Sequence, residues 1–195
     1  MKIVLATNNR HKVEEISNIL DSSKYDLLLQ NEAIGGMFEV EENGKSLEEN
    51  AYLKAIQIYT ICQTPTIADD TGLEISSLAG APGVHSARYA GEHGNDKANR
   101  EKVLDELKDN SNRAAQFRTV LCFHDGVRTL FGEGICKGQI LKKEIGEGGF
   151  GYDSIFVAEG QNLSFAEMSP SAKNAISHRR LAINSLLEIF ERYDT

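Results

Sequence analysis

Lys2-Ile3-Val4-Leu5-Ala6-Thr7-Asn8-Asn9-Arg10-His11-Lys12 decides the fold class of this chain. Residues 2–7 form an apolar, β-favouring run that ends on Thr-Asn-Asn, the pattern of a buried strand giving way to a loop. A helix is expected from about His11 to Leu20, because Val13, Ile16 and Leu20 recur on one helical face. Strand, loop and helix in sequence open an α/β arrangement.

The rest of the chain continues the alternation. Residues 25–30 and 37–41 read as strands, with Gly35-Gly36 as a break between them. Ser46-Leu47-Glu48-Glu49 is a capping box, so a helix begins there and carries Leu47, Ala51, Ala55, Ile58 and Cys62 on one face. Pro65 closes it, Thr66-Ile67-Ala68 starts a strand, and residues 73–78 can extend it before the turn at Gly80-Ala81-Pro82-Gly83. A further helix is expected over about 96–107, and residues 114–123 alternate, with Ala115, Phe117, Thr119, Leu121 and Phe123 on one side. Asp125-Gly126 predicts a type I′ hairpin with residues 127–139 returning antiparallel. The last helix is expected over about 173–193, with Leu186, Leu187, Phe190 and Tyr193 as its apolar face. Helices interleaved with strands, plus one long hairpin, give an α/β fold with a mixed sheet.

Composition narrows the functional classes. At 195 residues, 41% of them hydrophobic, the chain can bury a substantial core, and it is read as a single domain over 1–195. No apolar run approaches the roughly 20 residues that cross a bilayer, and the N-terminal apolar run is too short for a secretory signal. Cys62, Cys122 and Cys136 are odd in number and widely spaced, which fits a reducing cytoplasm and neither a disulfide framework nor a zinc site. A net charge of −8 argues against nucleic-acid binding, while leaving room for a small phosphorylated ligand with a divalent cation.

Three constellations carry candidate chemistry. Thr7, Asn8, Asn9, Arg10, His11 and Lys12 lie between the first strand and the first helix, where free N–H groups and a lysine receive an anion. They also read as an Asn-capped helix with a solvated lysine. Ala68-Asp69-Asp70-Thr71-Gly72 places two adjacent carboxylates at a strand end, pointing to opposite faces. One can look into a cleft, accept Mg²⁺ or deprotonate water, and Glu39, Glu41 and Glu42 could complete a metal site. An Asp-rich turn and a solvated acidic face are the plainer alternatives. Gly148-Gly149-Phe150-Gly151-Tyr152-Asp153, followed by Lys173 and Ser177-His178-Arg179-Arg180, combines flexible backbone, aromatic rings and edge-reading polar groups. There is no GxSxG elbow, HExxH motif or Walker loop.

Taken in order, these segments resemble the inosine triphosphate pyrophosphatase family. The match includes Leu5 to Lys12, Glu41-Glu42 ahead of Ser46 to Ala51, Ala68 to Leu73, Gly80 to Gly83, Ser86 to Gly91, Gly148 to Asp153, and Ile176 to Arg179. The resemblance implies a homodimeric α/β protein with a twisted mixed β-sheet flanked by helices and two lobes around a central cleft; the cysteine usage above gives the cytoplasmic location. It implies Mg²⁺-dependent hydrolysis of ITP, dITP or XTP to the monophosphate and pyrophosphate. By matching position, Thr7 to Lys12 and Lys173 would hold the triphosphate, and Asp70 would be general base and metal ligand, with Glu41 or Glu42 assisting. Thr71 would contact the nucleotide, while Phe150, Gly151, Tyr152, Asp153, His178 and Arg179 would hold the base. Hypoxanthine and xanthine present an O6 acceptor where adenine carries an amino donor, so donors from His178 or Arg179 would fit one and mispair the other. Ser154 stands where the family usually has proline. A related pyrimidine-directed pyrophosphatase and a non-catalytic nucleotide-binding regulator are the alternatives.

Overall fold

Strand β1 (Lys2–Leu5) is buried from Ile3 onward, and helix α1 (Arg10–Ile19) follows it. The computed structural model describes residues 1–20, 23–36 and 38–193, the side chain of Tyr193 excepted. The remaining elements are β2 (Asp26–Leu29), α2 (Gln30–Ile34), α3 (Leu47–Cys62), β3 (Thr66–Ile75), α4 (Asp96–Glu106), β4 (Ala114–His124), β5 (Thr129–Ile140), β6 (Phe156–Ala158), α5 (Pro170–Ile176) and α6 (His178–Tyr193). The strands form one six-stranded sheet in the order β2-β1-β3-β4-β5-β6. β1 pairs in parallel with both β2 and β3, whereas β5 and β6 pair antiparallel, so the sheet is mixed as expected.

The chain divides into two compact units, and β3, β4 and β5 contribute residues to each. The first comprises residues 1–70, 119–134 and 179–195. Its core packs Ile3, Leu5 and Ile67 of the sheet with Ile16 and Leu20, Leu121 and Phe123, and Ala182, Ile183 and Leu186 of α6. The second comprises residues 71–118 and 135–178. Its core gathers Leu73, Ile75, Val103, Leu107, Phe117, Tyr152, Phe156 and Phe165.

Local signals set most boundaries. The Ser46 hydroxyl accepts the Glu49 amide at 3.2 Å, while the Glu49 carboxylate takes the Lys45 amide at 2.6 Å, so the capping box closes one residue early. Ser169 caps α5 and Pro170 occupies its first turn, where a missing N–H costs nothing. β3 is one continuous strand through Asp69, Asp70 and Thr71, not two pieces.

Three expectations change. Residues 38–41 are not a strand; the Phe38 carbonyl is taken by the side chains of Asn8 and Gln30 instead of a neighbouring strand, and Met37 lies outside the described residues. In the β4–β5 turn only Gly126 has positive φ, +91°, so the turn carries the II′ sign pattern and not I′. The Asp125 carboxylate accepts the amides of Val127 and Arg128, which stabilises that choice. The expected helix over 173–193 is two helices, broken where Ser177 adopts extended backbone (φ −69°, ψ 152°). Its expected face holds at Leu186, Leu187 and Phe190, with Tyr193 outside the described side chains.

At Gly132 the backbone of β5 comes close to α6. A Cβ there would lie 2.6 Å from the Ala182 carbonyl oxygen and 2.8 Å from the Leu186 amide nitrogen, both helix backbone. Gly132→Ala is expected to cost about 1–3 kcal/mol through overpacking. Thermal unfolding measures it, and an unchanged midpoint would show that α6 shifts without penalty.

Candidate active site

In the first unit, charge converges on the middle of β3. Asp69 and Asp70 are both buried, because strand alternation sends consecutive side chains to opposite faces of a covered sheet. Lys12, one turn into α1, lies 3.1 Å from the Asp69 carboxylate. Arg179, from the first turn of α6, reaches Asp69 at 3.4 Å and also pairs with Glu15 of α1. Burial alone would raise the Asp69 carboxyl, but Lys12, Arg179 and Lys54 together hold it well below the ordinary carboxylate range.

Asp70 has a different environment. Its Oδ2 accepts the Asn50 side-chain amide at 3.1 Å and its Oδ1 lies 3.5 Å from Lys54 Nζ. Burial dominates and raises its carboxyl despite the lysines. Lys54 also binds Glu42 at 2.9 Å. Burial would lower the Lys54 ammonium, but Asp70, Glu42 and Asp69 outweigh it, so the lysine stays charged. Two neighbouring carboxylates are thus pushed in opposite directions, the separation that distinguishes an ionic anchor from a proton acceptor.

Asn50 and Lys54 were not among the residues expected at the site. They occupy the buried face of α3 with Leu47, Ala51, Ala55 and Ile58. The signal was available: an amide and a lysine four residues apart interrupt an otherwise apolar stripe. Glu15, three residues beyond Lys12 on α1, was missed as well.

A cation position follows from this set. Glu42 and Asp70 converge on one ammonium, and both are hard oxygen donors. Among the described residues no group of three or more His, Cys, Asp or Glu could hold a metal unaided. That donor set fits a hard divalent ion that completes its shell with water and ligand phosphates. Glu41 is exposed, so Glu42 is the glutamate that stands at this position.

The loop before α1 is more self-contained than expected. The Asn9 side chain accepts the amides of His11 and Lys12 at 3.0 and 3.3 Å, so two N–H groups of the helix end already have a partner. Thr7 Oγ1 accepts the Asn9 amide, Asn8 holds the Phe38 carbonyl, and Arg10 and His11 are exposed.

In the second unit, the loop of residues 148–153 is tied to α5. Lys173 Nζ lies 2.6 Å from Asp153 Oδ2, which also accepts the Phe150 amide at 2.9 Å. The same ammonium sits 4.7 Å from the centre of the Phe150 ring, a cation–π contact. His178 is buried and stacks on Phe117 at 4.6 Å. Tyr152 turns into the core and donates to the Ser86 carbonyl, and Thr71 continues β3. Lys173, expected on a triphosphate, is therefore placed with the aromatic loop, and Arg179, expected with His178, is placed with Asp69 and Glu15.

Removing the Arg179 guanidinium leaves Glu15 and Asp69 short of a buried partner. Arg179→Met is expected to destabilise the protein by about 3–5 kcal/mol near neutral pH. Because the Asp69 carboxyl is depressed in the folded state, its contribution is present above the ordinary carboxylate range and lost as pH falls through the folded value. The penalty should therefore shrink on acidification, as chemical unfolding of both proteins between neutral and acid pH would reveal; a penalty independent of pH would mean the arginine acts by packing alone.

Residues 3–189 match the model of the Ham1 family. A dITP/XTP pyrophosphatase of Christiangramia forsetii is 45% identical over 193 residues, covering 98% of this chain and all of that protein. One from Porphyromonas gingivalis is 46% identical, with 95% of each chain covered. Among solved structures, the Ham1 protein of Staphylococcus aureus superposes with a TM-score of 0.88 at 40% identity over the full length of both chains. A family match across nearly the whole sequence, relatives well above 40% identity and a shared fold lead to one conclusion: this chain belongs to the Ham1 family.

Proposed function

We propose that this chain is a nucleoside triphosphate pyrophosphatase that hydrolyses ITP, dITP and XTP to the monophosphate and pyrophosphate, removing deaminated purines from the nucleotide pool. The observation that carries the reading is the buried Asp70, held by Asn50 and Lys54 beside Glu42. A non-catalytic binder has no need of a carboxylate maintained at such a desolvation cost. The names of the relatives supply the substrate class.

The residues divide the work. Lys12 and Lys54 would neutralise the phosphate oxygens, with Thr7, Asn8 and Asn9 adding neutral hydrogen bonds. Asp70 would take a proton from the water that attacks the α-phosphorus, and the bond to the β-phosphate oxygen breaks to release pyrophosphate. Burial raises the Asp70 carboxyl and so improves it as a base. Glu42 and Asp70 would hold Mg²⁺, which when bound supplies charge neutralisation on the triphosphate. Arg179 would act on Asp69 as a positioning group. Phe150 and His178 would hold the base, with Asp153 and Lys173 shaping the loop.

Assembly as a homodimer and residence in the cytoplasm belong to the same reading. Free thiols fit a reducing compartment: Cys62, Cys122 and Cys136 are unpaired with one another, and burial pushes the Cys122 and Cys136 thiols up to about 12 and about 11. Among the described residues no helix is long and apolar enough to cross a membrane.

The deciding experiment is pyrophosphate release from ITP beside ATP and GTP, with Mg²⁺ and with chelator. Mg²⁺-dependent release from ITP above the others is expected, and Asp70→Asn should lose at least about a hundredfold in turnover while still binding ITP. No release from any substrate would leave the regulator reading. Phe150→Ala is expected to weaken ITP binding by about 1–3 kcal/mol, the usual range for base–aromatic stacking. Calorimetry on the Asp70→Asn background measures this without turnover, and unchanged affinity would place the ring outside the pocket.

A further inference from the structure

Inside the loop of residues 148–153, Phe150 and Asp153 are tied to each other, the Asp153 carboxylate accepting the Phe150 amide and the Asp153 amide donating to the Phe150 carbonyl, and the Gly151 peptide groups take no part. Gly149 and Gly151 have φ of +71° and +59°, and glycine has the most backbone freedom to lose. Space is not the reason for Gly151, since a Cβ there would meet nothing within 4 Å. Lys173 fastens the loop at Asp153, and Gly151 is held from a second element.

Helix α4 supplies that hold. Asp96 accepts the Gly151 amide at 2.8 Å, and Arg100 donates to the Gly151 carbonyl at 2.8 Å. The two residues are four apart on one helix, so they stand on one face a turn apart. Gripping the N–H and the C=O of the same residue sets the peptide units on both sides of Gly151. Phe150 precedes that residue and Asp153 follows two places later.

The grip is itself supported. Arg100 Nε pairs with the Glu144 carboxylate at 2.8 Å, and Ser154 Oγ donates to the same carboxylate at 2.8 Å. α4 is anchored by Val103 in the core and by Asn99, which binds the Ala90 amide and the Ala87 carbonyl.

We propose that Asp96 and Arg100 are positioning residues that set the base-holding loop through Gly151, with Glu144 and Ser154 closing the network. The proposal rests on the pyrophosphatase reading and adds to it a determinant of base selectivity. A base edge is discriminated only if its partners cannot relax toward the wrong base.

Two independent measurements test it on Arg100→Ala, Asp96→Ala, Arg100→Lys and Ser154→Ala. Hydrogen exchange of the peptide spanning residues 145–153 should quicken by about tenfold in Arg100→Ala, and less in Ser154→Ala. In the same variant KM for ITP should rise about tenfold and the preference for ITP over ATP should fall about tenfold, with kcat within about threefold of the parent. Arg100→Lys should recover only part, because an ammonium cannot serve Gly151 and Glu144 with the geometry of a guanidinium. Combining Asp96→Ala with Arg100→Ala should cost less than the sum of the two, since both hold one residue.

Unchanged exchange would overturn the proposal, and so would faster exchange with unaltered KM and base preference. A loss of kcat alone would also overturn it, by reducing the network to structural support. If Arg100→Ala fails to fold, the Ser154→Ala and Arg100→Lys results decide. If the parent protein releases no pyrophosphate from ITP, the functional reading fails on that assay, while the exchange data still report whether α4 holds the loop.

Discussion

Burying two consecutive carboxylates in the middle of β3 is the constraint on which the first unit is built. Asp69 and Asp70 emerge on opposite faces of a covered strand, so each must find its own partners. A buried carboxylate without partners would protonate or unfold the strand. The solution draws on three helices: Lys12 from α1, Asn50 and Lys54 from α3, and Arg179 from α6. Helix placement and charge placement are therefore one problem, and two of those helices, α1 and α6, also supply the hydrophobic core of this unit.

The second unit solves a different problem, the fixing of a glycine-rich loop beside a cluster of aromatic rings. Its rings are supported from below by stacking of His178, Phe117 and Phe165, and its loop is fastened by Lys173 through Asp153. Lys173 is nearly as buried as the core around it, yet it retains both a carboxylate and a ring face as partners. Such a lysine contributes shape as much as charge.

Periodicity and capping made much of this legible in sequence. β1, α1, α3 and β4 follow from patterns that local physics enforces, and the seven ordered segments pointed to the family. Other features depend on tertiary partners. No glycine or proline within 173–193 announces the break at Ser177. Residues 38–41 favour a strand by type, but side chains take the Phe38 carbonyl. Lys54 was hidden because a helix stripe reads as core, and the partner that makes a buried lysine tolerable lies 16 residues away on β3. Arg179 and His178 are neighbours in sequence, but adjacent helical positions point about 100° apart, and only packing assigns their directions.

Lys12 and Lys54 keep their own counter-ions inside the fold. An ammonium waiting in solvent carries a shell of mobile anions, and a phosphate must compete with them at every ionic strength. Here the resident partners are carboxylates fixed to the backbone, so a phosphate held as proposed would exchange one anion for another at ammonium groups that are only partly open to dissolved salt. The electrostatics of this set are in that sense less coupled to the surrounding medium than those of surface lysines, and their strength is decided by where β3 holds two aspartates and where Glu42 meets Lys54.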